Sequence, residues 1–264
     1  MYFLGDAHGQ FGWWKKVISR DYCKSSIQLG DFGIGFLERE DTTRNYVERN
    51  GEKRSYHPDG VDPEKHKFIR GNHDDPAICR ESPHYLGDYG FIEKLNLFYI
   101  SGALSIDKDP IFGGKYLCNC DKSPEVIDYF NEKMSMCRSC PELESCDKRS
   151  ILWEGRTQGL DWWEDEELSY NELENMVILF KETKPRIVVS HTCPLEIITY
   201  FTEDKRKRGG FDRSSNFFSE AWTAHKPEWW LFGHFHRTNH AYIQGTDFRC
   251  VGANQTYEIK GIDF

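Results

Sequence analysis

Five times along its 264 residues, this chain ends a short apolar run in side chains that can bind a metal. Met1-Tyr2-Phe3-Leu4 leads to Asp6 and His8, and Ser26-Ile27-Gln28-Leu29 leads to Asp31. Lys67-Phe68-Ile69 leads to Asn72 and His73, Arg186-Ile187-Val188-Val189-Ser190 to His191, and Trp229-Trp230-Leu231-Phe232 to His234 and His236. In four of the five, glycine stands just before the first such side chain. Runs of this kind read as buried strands, and in open α/β sheets binding sites form beyond the carboxyl ends of the strands. Five such ends set side by side would gather these groups in one crevice. The pairs Asp6/His8 and His234/His236 have a spacing that, in extended backbone, puts both members on one side. Any one of these stretches alone reads as a polar loop with an Asx turn; all five together make a pattern.

Between the runs the spacing predicts helices. Trp13 to Arg20 has Trp13, Val17 and Ile18 on an inner face, and Trp162 to Lys184 repeats Leu168, Leu173, Met176, Val177 and Phe180 at helical intervals. Within the second, Ser169 and Glu172 have the spacing of a capping box, and Pro185 ends it. A further helix is expected near Asn216 to Ala224, and two or three short strands between Ala241 and Ile259. Phe98-Tyr99-Ile100 and Leu104-Ser105-Ile106 read as short strands, and Glu38 to Glu64 as a polar surface excursion. Strands alternating with helices give an α/β class.

The net charge of −9 argues against a general nucleic-acid coat and against long nucleic acid as partner. No apolar run is long enough to span a bilayer, so no membrane partner is expected. The first strand begins at residue 2, which leaves no room for a signal peptide and points to the reducing cytoplasm. Nine cysteines there read as thiols or metal ligands before disulfides.

Nitrogen and oxygen donors without thiolate favour manganese, iron or zinc in a reactive site, manganese first. Asp6, His8, Asp31, Asn72, His191, His234 and His236 are too many for one tetrahedral ion and suit two. One aspartate can bridge a pair of ions, and paired ions clamp the attacking and leaving oxygens of a phosphoryl displacement. They also generate hydroxide at neutral pH for in-line attack on phosphorus. The residues thus favour a dinuclear phosphoester hydrolase.

Asp6-Ala7-His8, Gly30-Asp31, Gly71-Asn72-His73-Asp74, His191 and Gly233-His234-Phe235-His236 resemble, in order, the five blocks of the calcineurin-like metallophosphoesterases. The resemblance implies a β-sandwich flanked by helices, as a single domain over residues 1–264. It implies one metal on Asp6, His8, Asp31 and His236 and another on Asp31, Asn72, His191 and His234, with Asp31 bridging. It implies that Asn72 helps hold phosphate oxygens and that His73, steadied by Asp74, assists the leaving oxygen. Arg70 before the third block resembles the Arg-Gly-Asn-His run of the family's protein phosphatases and is a candidate phosphate contact. Phe32-Gly33-Ile34-Gly35 replaces their Asp-Arg-Gly, which weakens a phosphoprotein-phosphatase reading. Ser101 to Asp107 and Trp162 to Glu167 look more like small bacterial and phage phosphoesterases. The leading expectation is a phosphomonoesterase. Two others stand beside it: a phosphodiesterase or nuclease acting on cyclic nucleotides or nucleic-acid ends, and a catalytically silent binding or scaffold protein on the same fold.

Residues 115–155 differ in composition. Cys118, Cys120, Cys137, Cys140 and Cys146 crowd there, and Ser123-Pro124 reads as the start of a short helix. Thiolates in fours suit a structural zinc or an iron–sulfur cluster that would staple this insertion as a cap beside the site; free thiols and a redox disulfide are the alternatives. Lys205 to Arg208 reads as a solvated charge run or, lying between two blocks, a contact for substrate phosphates.

Overall fold

The computed structural model of the chain describes residues 1–35, 61–105, 159, 162–202 and 212–264, and the backbone of three short strands within 115–151. The expected excursion after Glu38, the basic run at Lys205 to Arg208, and the side chains of Cys118, Cys120, Cys137, Cys140 and Cys146 lie outside the described residues.

Two sheets carry the fold. In the first, β1 (Tyr2–Leu4), β2 (Ser26–Leu29) and β3 (His66–Ile69) run parallel, with β13 (Thr256–Glu258) antiparallel at the β1 edge. In the second, β9 (Ile187–Ser190) lies between β10 (Trp229–Phe232) and β5 (Leu97–Ile100), all parallel. This sheet continues through β12 (Thr246–Cys250) to β11 (Asn239–Ile243) on one side and ends at β4 (Tyr89–Ile92) on the other.

Alternation along the strands builds the layers. Phe3, Ile27 and Leu29 from one sheet meet Leu97, Ile187, Val189 and Leu231 from the other in a common core, so the sheets pack face to face. The intervening residues Phe98, Ile100, Val188, Trp230 and Phe232 point the other way, onto helices α3 (Tyr170–Thr183), α4 (Leu195–Ile198) and α5 (Arg213–Ala224). Leu4 and Phe68 likewise cover Trp14 and Val17 of α1 (Phe11–Ile18) and Cys79 of α2 (Pro76–Glu81). Each fully buried Phe or Leu in these layers contributes roughly 1.5–3 kcal/mol by leaving water. The expected sandwich flanked by helices is the observed architecture.

Some expectations shift. The helix predicted from Trp162 starts only at Tyr170, where Ser169 and Glu172 close the capping box. No strand forms at Leu104-Ser105. The helix predicted after Ser123 is displaced by a strand, β7 (Val126–Asp128), which pairs with β6 (Lys115–Cys118), itself paired with β8 (Arg149–Ile151). Val126 and Ile127 are β-branched, and cross-strand pairing outweighs a local capping signal. Among the described residues, no helix is long and apolar enough to cross a membrane.

Candidate metal centre

The carboxyl ends of β1, β2 and β3 in one sheet, and of β9 and β10 in the other, open toward the same place. The loops after β1 and β2 are tied by backbone bonds: the N–H groups of Ala7 and His8 donate to the Asp31 carbonyl at 3.0 and 2.9 Å, and Gly9 N–H donates to Phe32 O at 2.8 Å. Asp74 binds the third loop to the second. Its carboxylate accepts from the N–H groups of Phe32, Gly33, Ile34 and Gly71 at 2.6–3.1 Å. Its oxygens are taken up by these backbone amides, so Asp74 shapes the loops that carry the donors.

Within this frame the donors fall into two groups sharing Asp31. Ligand atoms of Asp6, His8, Asp31 and His236 lie within 4.8 Å of one another, as do those of Asp31, His191 and His234. The two oxygens of Asp31 divide between the groups. Oδ2 lies 3.9 Å from His8 Nε2, and Oδ1 lies 3.1 Å from His191 Nε2. Asp6 Oδ2 is 3.1 Å from His236 Nε2, whose ring nitrogen faces His8 Nε2 at 2.9 Å. Asn72 Oδ1 joins the second group, 3.1 Å from His234 Nδ1.

The pairs two residues apart do not converge through extended backbone. His8, His234 and His236 all have positive φ, at 44°, 66° and 55°, and Asp31 has φ 51°. Left-handed backbone in a non-glycine residue costs energy, and strain of this kind clusters at functional sites. The neighbouring glycines let the loops cross closely. A Cβ on Gly71 would sit 2.2 Å from Asp31 Oδ1, and one on Gly233 would sit 2.1 Å from Asp6 Oδ1.

Hydrogen bonds fix how these groups present their donor atoms. His191 Nδ1 lies 2.7 Å from the Leu29 carbonyl, which can only accept, so Nδ1 keeps its proton and Nε2 is the nitrogen that a cation could take in place of a proton. That buried Nε2 faces Asp31 Oδ1 at 3.1 Å. Asp31 accepts from His73 N–H at 2.8 Å, and Asp6 from His234 N–H at 3.0 Å. Burial alone would lift the Asp31 carboxyl, but His191 and His73 nearby hold it well below the usual carboxylate range. Burial opposes charge on His191, yet Asp31 outweighs it and raises the imidazole to about 9. Converging hard and borderline donors, with a carboxylate turned to both groups, fit a pair of divalent ions.

A family model, calcineurin-like phosphoesterase, matches residues 1–238. The chain belongs to that family. As a calcineurin-like phosphoesterase it is a metal-dependent hydrolase acting on phosphoester bonds, and its two donor groups are candidate sites for the family's two metals. A search of the curated proteins finds no match.

Two further residues of this phosphoesterase hold the frame around the site. Arg70 is fully buried; its Nε donates to Asp88 Oδ1 at 3.0 Å and its Nη1 to the Glu166 carbonyl at 2.6 Å. It joins β3 to two other segments and is not open to a phosphate in solvent. Gln28 also bears on the site without any sequence signal: its side-chain amide bonds both the N–H and the carbonyl of Gly30, at 3.0 and 2.6 Å, pinning the turn before Asp31.

Proposed function

We propose that this phosphoesterase is a phosphomonoesterase with a dinuclear centre. Asp6, His8, Asp31 and His236 would hold one ion, and Asp31, Asn72, His191 and His234 the other. The division of the Asp31 oxygens between the two groups carries this reading. Ions held there would lower the pKa of a bound water and neutralise phosphate oxygens.

The chain's own residues supply the rest. His191, Asp31 and Asp6 are buried, whereas the His236 side chain is 53% exposed and that of His8 16%. Substrate therefore enters from the His8 and His236 side. The His73 ring lies edge-on to His8 at 5.0 Å between centroids, at the same mouth. Its backbone N–H is anchored on Asp31, which fixes the residue at this mouth, and its imidazole would give a proton to the departing alkoxide. The net charge of −9 disfavours a long polyanion as substrate.

The test is hydrolysis of an aryl phosphate and its bis-aryl ester by chelator-stripped protein resupplied with Mn²⁺. The expected result is metal-dependent turnover with the monoester preferred. A preference for the bis-ester would overturn the monoesterase assignment.

A further inference from the structure

Asn72 is the amide among the proposed ligands, and its two ends are not equivalent. A cation accepts the amide oxygen; the NH₂ end offers two donors and no lone pair free to bind. A half-turn of the side chain would exchange one for the other, so the direction of this amide decides whether the second donor group is complete.

A buried chain of hydrogen bonds addresses that direction. Asn72 Nδ2 donates to Ser105 Oγ at 3.2 Å, which leaves Oδ1 facing His234 Nδ1 at 3.1 Å. Ser105 is buried, and its N–H donates to Glu166 Oε1 at 2.9 Å. Glu166 is also buried, and its carbonyl accepts from Arg70 Nη1 at 2.6 Å. Arg70 stands two residues before Asn72 at the end of β3, so the chain of contacts closes on itself. Arg70 is fixed in turn by Ser101, whose hydroxyl accepts its N–H at 3.2 Å, and by Asp88. The loop after β5 and the segment before α3 are thereby clamped around one side chain.

We infer that Ser105, held in place by Glu166, is a positioning residue that turns the Asn72 amide oxygen toward the second cation. This deepens the dinuclear reading and rests on it. Outer partners of metal ligands typically contribute a 10–100-fold change in affinity or activity. The proposal has a signature that general loosening of the fold lacks. A carboxylate at position 72 would present oxygen at both ends and would need no orienting. The effect of removing the Ser105 hydroxyl should therefore vanish in an Asn72→Asp background.

The experiment titrates chelator-stripped full-length protein with Mn²⁺ and follows the signal of free aqueous Mn²⁺ by electron paramagnetic resonance. Four proteins are compared: native, Ser105→Ala, Asn72→Asp and the double variant. Thermal unfolding in chelator checks that each is folded, and Glu166→Ala serves as a second route to the same displacement. The expected result is two ions in the native protein. In Ser105→Ala and Glu166→Ala one ion should be held as in the native protein and the other about 10–100-fold less tightly. Adding Ser105→Ala to Asn72→Asp should change affinity by less than about twofold, since no orientation remains to be lost. Equal losses in both backgrounds, or two ions bound unchanged by Ser105→Ala and Glu166→Ala, would overturn the assignment alone. Fewer than two ions in the native protein would overturn the dinuclear reading, and this inference with it.

Discussion

Gly71→Ala examines the crossing of the second and third loops. A Cβ there would meet Asp31 Oδ1 at 2.2 Å, Asp31 N at 2.4 Å and His191 Nε2 at 2.8 Å. Two of the three are proposed ligand atoms, and the third is the backbone of the residue that serves both donor groups. Relieving a contact of this kind requires Asp31 to retreat by about 1 Å, while a metal site holds its ligand distances to about 0.2 Å. Overpacking should cost the metal-free fold about 1–3 kcal/mol, measured by urea unfolding in chelator. The larger effect should fall on function. A displacement of about 1 Å at a reacting centre costs on the order of 10²-fold in rate. The assay is Mn²⁺-dependent aryl phosphate hydrolysis with metal content measured in parallel. The expected outcome is loss of at least one ion and a drop in kcat of about that size. Two retained ions with activity within threefold of native would refute the claim that Asp31 lies at the crossing and serves both sites.

Other perturbations separate scaffolding from chemistry. Asp74→Ala leaves the N–H groups of Phe32, Gly33, Ile34 and Gly71 without their acceptor, and stability measured by urea unfolding should fall by about 3–5 kcal/mol. Asp74→Asn keeps one acceptor oxygen and should lose less. Burial, and then Glu167 beside it, push the Asp212 carboxyl up to about 8, so the folded state holds a proton there that the unfolded chain releases near pH 4. This contribution is full below the unfolded pKa and is lost as pH rises through that window, at about 1.4 kcal/mol per pH unit. Asp212→Asn mimics the protonated form and can still accept from Ser215 N–H, so its stability should fall less than the native protein's between pH 5 and 8. Parallel slopes for the two proteins would refute this reading of Asp212.

The strands that bear ligands were readable because short, largely apolar runs broke at Gly-Asp, Gly-Asn or Gly-His in four cases and at Ser190-His191 in the fifth. The division into two sheets was not readable from those runs. Leu29 and Leu231 look alike in sequence, and which sheet each joins is decided by long-range pairing. The donor identities followed from residue chemistry, but the way they converge did not: nothing in the sequence marks His8, His234 and His236 for left-handed backbone, a conformation imposed by the crowded loop crossings. Ser105 and Glu166 were equally silent. Their bearing on Asn72 arises from contacts 33 and 61 residues apart in the chain, and a serine in an apolar stretch or a glutamate in an acidic one carries no local sign of it. Arg70 is the reverse case. Its neighbours resemble an Arg-Gly-Asn-His run, and its burial against Asp88 and Glu166 is set by long-range contacts that the run does not show.

The central claim is that one carboxylate serves two ions and that hydrolysis depends on both. Asp31→Asn removes the shared charge with little change in shape. The measurement is bound metal per chain together with kcat for an aryl phosphate, native against Asp31→Asn, at saturating Mn²⁺. The account expects two ions in the native protein, fewer than two in the variant, and a fall in kcat of at least about 10²-fold. Unchanged turnover in Asp31→Asn, or full activity in native protein stripped of metal, would contradict it.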